Sequence, residues 1–261
     1  MSVKNYFSGR KILQPFFERI FKASLRGMNY GIGGMLNTSG EENLMVRINN
    51  KLDKLGIKNK IVFDVGANKG QYTEAILNIF TSDVYVYCFE PSYASFKELK
   101  ARHGEKSNVE LVPFGLGSVS EIRNLYYDSD GSGWASVFER KGTQFNPELT
   151  HSEEISTIRL DDFCKSKSIG RINFLKADVE GFELEVLKGA TRMLPCIDFI
   201  QFEFSFANYN SKTYLYDFFE LLSDFKIYRV LKDGMEEIQY DPRYEILMTT
   251  NYLAVNKKTT L

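Results

Sequence analysis

The chain has 261 residues, 43% of them hydrophobic and 26% charged, with a formal net charge of -1; that is enough apolar material for one large core, and it exerts no global pull on nucleic acid. Its three cysteines, Cys88, Cys164 and Cys196, lack metal-ligand spacing and stand among apolar neighbours, which reads as buried thiols in a reducing cytoplasm. No apolar run approaches the ~18 residues of a membrane span and the first residues lack a signal-peptide pattern, so a cytoplasmic, enzyme-like domain is expected.

Residues 1–58 are expected to form a helical extension. Lys4, Arg10, Lys11, Arg19, Lys22 and Arg26 against Glu18 alone make its first half basic, and Phe16, Phe17, Ile20, Phe21 and Leu25 recur at helical spacing. Two readings stand: a helix that packs its aromatic face on the domain, or one that lies on an anionic membrane surface or gathers a lipid-linked substrate. Ser39-Gly-Glu-Glu42 reads as a capping box, with Ser39 as N-cap and Glu42 three residues on, opening a helix through Leu55.

Residues 59–261 alternate strand and helix signals, the pattern of an α/β doubly wound sheet. Strands are predicted at Ile61–Val65, Val84–Phe89 and Val109–Phe114, with helices at Tyr72–Phe80 and Tyr93–Lys100. An alternating strand, Glu121–Tyr127, leads into the turn-rich Asp128-Ser-Asp-Gly-Ser-Gly133 and an irregular stretch to Glu153, so a loop insertion is placed at about 117–155. The wound pattern resumes with a strand at Ile172–Ala177, a helix at Phe182–Ala190, a strand at Asp198–Phe204 and a helix around Tyr214–Leu222, before strands at Lys226–Leu231 and Asn251–Asn256.

The first chemical motif is Asp64-Val-Gly-Ala-Asn-Lys-Gly70, a strand end that turns through Gly66 and Gly70 into a helix N-terminus. Glu90, before Pro91 and about 20 positions on, stands where such folds hold ribose hydroxyls. Asn68 replaces the glycine that opens room for a pyrophosphate, which argues against NAD or FAD. Asp64 suits a cofactor with an amino-acid end, whose ammonium a carboxylate holds directly or through water. S-adenosylmethionine has such an end, with Val112–Leu116 bordering its adenine. The second motif is Leu175-Lys-Ala-Asp-Val-Glu-Gly-Phe-Glu-Leu-Glu-Val-Leu-Lys-Gly-Ala190. Asp178 and Glu180 fall at the carboxyl end of a strand, and Glu203 stands among aromatics in the next, where a carboxylate needs a partner. The three could act as general base toward a hydroxyl or form an all-oxygen Mg²⁺ site.

The blocks DVGANKGQYT, FEPS, TIRLDDF, FLKADVEGFELEVLKGA and IQFEF, in this order across Ile61 to Phe206, resemble the FkbM family of S-adenosylmethionine-dependent methyltransferases. Arg26-Gly-Met-Asn-Tyr-Gly-Ile-Gly-Gly34 with Ser39-Gly-Glu41 is similar to the upstream part of members among bacterial polysaccharide genes. The resemblance implies a class I methyltransferase fold, Rossmann-like, with seven strands of which the last is antiparallel. It also implies O-methylation of a hydroxyl on a sugar, glycan or natural product. Family cofactor residues map onto Asp64, Gly66, Asn68, Gly70 and Glu90, and the acidic motif onto Asp178 and Glu180; Tyr72, Pro91 and Gly115 border the same pocket. Where the family pattern has an Ala-Leu pair, this chain has Phe114-Gly-Leu-Gly117.

Three further side chains are singled out. His103 follows a charged helix end and reads as solvated. His151, closing the insertion, is either a surface-loop residue or a base that reaches the acceptor. Trp134 either stacks on a sugar face or pins its loop. The Asn/Asp-Pro-Pro-Tyr/Phe tetrad of N-methylation is replaced by Asp178-Val-Glu-Gly, so a nucleic-acid acceptor is not expected. A non-catalytic module retaining the cofactor pocket stays open beside the sugar O-methyltransferase, as does an enzyme of small natural products.

Overall fold

The computed structural model of the protein describes residues 8–32, 36–81, 83–142 and 147–259. Lys4, Gly33, Gly34 and residues 143–146 of the expected insertion lie outside the described residues. The parallel part of the main sheet is built from β1 (Lys60–Val65), β2 (Val84–Phe89), β3 (Val109–Val112), β7 (Ile172–Ala177) and β8 (Ile197–Phe204). β11 (Thr250–Asn256) runs antiparallel between β8 and β9 (Phe225–Leu231). These seven strands are the expected class I arrangement, and the hairpin strand β10 (Gly234–Ile238) adds an eighth beyond β9, giving the order β10-β9-β11-β8-β7-β1-β2-β3.

The side-chain period of two divides the sheet into two cores. Phe63, Val65, Phe89, Leu175, Ala177, Ile200, Phe202 and Phe204 face one side. Val62, Val86, Cys88, Phe174, Phe199 and Leu253 face the other, against α2 (Glu41–Lys54) and α3 (Gln71–Phe80). α2 contributes the buried Leu44, Met45, Ile48 and Leu52 to that core, so the 58/59 boundary is no gap in packing. α4 (Tyr93–His103) follows β2, and α5 (Leu160–Ser166), α6 (Glu183–Lys188), α7 (Ala207–Ser211) and α8 (Leu215–Leu221) complete the helical layers.

The insertion is flanked by two paired strands. β6 (His151–Ile158) pairs antiparallel with β5 (Glu121–Tyr127) and parallel with β4 (Gly115–Leu116), so the irregular stretch expected to reach Glu153 gives way at His151 to the last strand of a small second sheet. Long alternation in β5 needed a partner, and the polar His151-Ser-Glu-Glu supplies one from an exposed strand.

Three further expectations are corrected. Ser39 does not cap α2: Gly40, at φ 94°, is the N-cap, and Ser39 Oγ instead donates to Glu41 Oε2 at 2.6 Å. α1 (Gln14–Gly27) does not pack its aromatic face on the domain: Phe16, Phe17, Ile20 and Phe21 are 42–60% exposed and Leu25 alone is buried. Past its C-terminal end the helix is tied down where the Asn29 amide donates to the carbonyls of Ser39 and Val230 and Arg229 Nη1 donates to the Tyr30 hydroxyl. Among the cysteines, Cys88 and Cys164 are buried but Cys196 is exposed.

Candidate functional site

A cavity of about 540 Å³ opens at the carboxyl ends of β1, β2, β7 and β8, the edge at which open α/β sheets bind ligands. The turn after β1 forms one wall. Gly66, at φ 79°, and Ala67 both donate their N–H groups to the Phe89 carbonyl at 3.0 Å, which pulls the turn over β2. A Cβ on Gly66 would stand 1.9 Å from the Asp178 carbonyl oxygen, so only glycine fits between the two loops. Asn68 adopts φ 47° and donates its N–H to Glu90 Oε2 at 2.8 Å, while Glu90 Oε1 accepts the Ser92 N–H at 2.8 Å. Each Glu90 oxygen keeps a lone pair for a ligand, and burial pushes its carboxyl up to about 7.

Of the residues assigned to cofactor binding, Gly66, Asn68, Tyr72, Glu90, Pro91, Gly115 and Asp178 line the cavity, and Trp134, 40% exposed, lines it too. Asp64 does not. It is fully buried beneath the turn, where it accepts the Thr73 hydroxyl at 2.7 Å and lies 3.7 Å from Lys176 Nζ, so direct contact with a ligand ammonium is corrected to support of Lys176. Strand register explains this: Asp64 pairs with Lys176, and Lys176 with Gln201, setting a polar row on the α2 face of the sheet. Gly70 is the N-cap of α3, outside the lining, with its carbonyl 2.9 Å from His103 Nε2. His103 is therefore buried rather than solvated, and desolvation lowers its pKa. His151 stacks on Tyr127 at 5.5 Å on the exposed strand β6 and is not among the lining residues.

Two side chains that sequence reasoning missed complete the polar row. Glu41, from the start of α2, lines the cavity and accepts Gln201 Nε2 at 2.7 Å, while Gln201 Oε1 accepts the Tyr72 hydroxyl at 2.6 Å. Lys176 Nζ lies 3.2 Å from Asp178 and 4.8 Å above the Tyr72 ring. Although burial opposes it, the surrounding acids Asp178, Asp64 and Glu41 raise the lysine's pKa and keep it charged. Glu41 carried a signal in Ser39-Gly-Glu41, and Lys176 carried one as a charge inside a buried strand.

Asp178, Glu180 and Glu203 converge, with one oxygen of each within 4.8 Å of the others. Period two puts Glu203 on the same face as Gln201, opposite Asn251 of β11. Burial first, and the neighbouring acids next, raise the pKa values of Glu180 and Glu203. Glu180 sits at φ 53°, an uncommon backbone for a non-glycine residue. The Glu183 carboxylate accepts the N–H groups of Val179 and Gly181 and so holds this turn in place. Three carboxylates so placed could take a proton from a hydroxyl or hold a divalent cation.

A family model described as "Methyltransferase FkbM domain" matches residues 64–230. The hexuronic acid methyltransferase AglP of Haloferax volcanii is 29% identical over 140 residues, 54% of each chain; the match spans about half of that relative's length. The 2-O-methyltransferase NoeI of Sinorhizobium fredii is 25% identical over 187 residues, covering 67% of this chain and 76% of NoeI. A crystal structure of an FkbM methyltransferase from Methylobacillus flagellatus KT superposes with a TM-score of 0.48 at 17% identity, covering 76% of this chain and 44% of that one. The match from Asp64 to Val230 spans well over half of the chain, including the turn after β1, Glu90 and all three converging acids, and the protein belongs to the FkbM methyltransferase family.

Proposed function

We propose that the protein is an S-adenosylmethionine-dependent O-methyltransferase acting on a hydroxyl of a sugar or glycan. The observation that carries this reading is that Glu90, beyond β2, and Asp178, Glu180 and Glu203, beyond β7 and β8, line one cavity. The relatives named for hexuronic acid and 2-O-methylation support a sugar acceptor. The residues fit the cofactor: the Glu90 oxygens suit a pair of ribose hydroxyls, Phe89, Leu116, Leu125 and Ile155 give apolar walls for a base, and Glu41 and Asp178 are acids within the lining for an ammonium.

When bound, S-adenosylmethionine supplies an electrophilic methyl on sulfonium. The protein's part is to bring the acceptor hydroxyl to it and take the proton. Asp178, whose side chain is 37% exposed, is the most open of the three acids and meets an entering hydroxyl first. Asp178 takes the proton, and Glu180 and Glu203, whose pKa values burial raises, stand beside it as hydrogen-bonding partners for the acceptor. Mg²⁺ could occupy the same acids, but Arg140 already sets a cation 3.4 Å from Glu180, which favours base chemistry. His151, outside the lining, has no part in this mechanism.

The exposed aromatic face of α1 beside Arg19, Lys22 and Arg26 supports a finer reading, in which the enzyme works at the inner, anionic face of a membrane on a lipid-linked glycan. No helix among the described residues is long and apolar enough to cross a membrane.

Calorimetry with S-adenosylhomocysteine tests the site. Wild type should bind, and Glu90→Ala should weaken binding about 30-fold, roughly 2 kcal/mol; unchanged affinity would remove the ribose assignment. Methyl transfer to saccharides should survive EDTA, and activity lost on chelation and restored by Mg²⁺ would move the three acids to the metal reading.

A further inference from the structure

Arg140 belongs to the loop between β5 and β6 and is 2% exposed. Among the described residues, one of its three nitrogens has a protein partner: Nη2 reaches Glu180 at a long 3.4 Å, while Nε and Nη1 are buried with no acceptor. A guanidinium cannot shed its proton to escape burial, and a donor left unmet there is costly. The side chain nevertheless lines the cavity, as Trp134 of the same loop does. Asp178 in turn is engaged by Lys176 at 3.2 Å, so that acid does not answer the arginine's charge.

We propose that Arg140 and Trp134 form the acceptor subsite, and that the acceptor is a sugar bearing an anionic oxygen group, a carboxylate or a phosphate, near the hydroxyl to be methylated. The proposal rests on the sugar O-methyltransferase reading and narrows its substrate class. The indole supplies a flat apolar face for the sugar ring. The guanidinium's free donors then hold the anion, a geometry that carboxylate and phosphate both match. Neutral sugars would leave those donors without a charged acceptor.

D-glucuronate, D-glucose 1-phosphate and D-glucose, titrated calorimetrically into the full chain with and without S-adenosylhomocysteine, test this. One of the two anions should bind at least ten-fold tighter than glucose, and which one does identifies the carboxylate or the phosphate as the recognised group. Arg140→Gln should abolish the preference, and Arg140→Lys should retain part of it, both with wild-type melting temperature. Equal binding of all three probes, binding of none, or a preference that survives in Arg140→Gln would overturn the proposal. Failure of the cofactor reading alone would show separately, as absent S-adenosylhomocysteine binding with the anion preference intact.

Discussion

Glu41 shows how a single carboxylate outside the main motifs can matter to the site. It enters the cavity from α2, and both its oxygens are already in use, Oε1 by Gln201 and Oε2 by Ser39. Burial raises its pKa, and the Ser39 hydrogen bond and the attraction of Lys176 only partly offset this. Glu41→Gln preserves the shape and removes the charge. If Glu41 faces the ammonium end of the cofactor, this variant should bind S-adenosylhomocysteine about ten-fold more weakly, roughly 1.4 kcal/mol, with no loss of melting temperature; unchanged affinity would leave Glu41 a purely structural group. Glu90 was legible because an acid at a strand end after a glycine turn has a fixed place in this fold. For Asp64 a motif gives the residue and not its depth: alternation in β1 turns it beneath the loop, toward Lys176, which speaks against direct contact with an ammonium and leaves contact through water. Arg140 left no pattern at all, since a loop residue's burial depends on how the insertion folds back.

At the scale of elements, strands buried on both faces read clearly from their apolar runs, and the wound order followed from their alternation with helices. β6 was missed because its outward residues, Ser152, Glu154 and Ser156, are polar and its pairing with β5 is non-local. α1 divides by face: Phe16 and Ile20, with Phe17 and Phe21, follow i, i+4 spacing on one side, and Arg19, Lys22 and Arg26 lie on the other. An exposed apolar stripe of this kind beside cations suits an anionic lipid surface. The full chain should co-sediment with phosphatidylglycerol-containing vesicles at low salt, release as salt rises, and bind phosphatidylcholine vesicles far less. The double variant Phe16→Ser with Phe21→Ser should lose binding at least ten-fold without change in melting temperature. Equal binding to both vesicle types, or none, would return α1 to a role unconnected with lipid.

For the molecule as a whole, the price of assembling so many buried acids should be visible in its stability. Burial, partly offset by backbone N–H donors, pushes Glu90 and Glu183 up to about 7 from an ordinary 4.5. A carboxyl whose folded pKa stands above its unfolded value binds more protons folded than unfolded. The stabilisation this gives is complete below the unfolded value and is lost as pH rises through the folded one. Acids with lowered values, such as Asp161 and Glu185, are ionised in both states above neutrality and add no slope there. His103, lowered by burial, acts mainly below pH 6.5. Between pH 6.5 and 8.5 the free protein should therefore lose stability, with a melting temperature falling by about 3 °C or more. Glu183→Gln, which removes one titrating group while leaving an oxygen to accept from the Val179 or Gly181 N–H, should flatten the fall. Differential scanning calorimetry across that range decides it: a melting temperature that holds or rises with pH would mean that these carboxyls are ionised in the folded protein, and that the cavity carries its negative charge before any cationic ligand arrives.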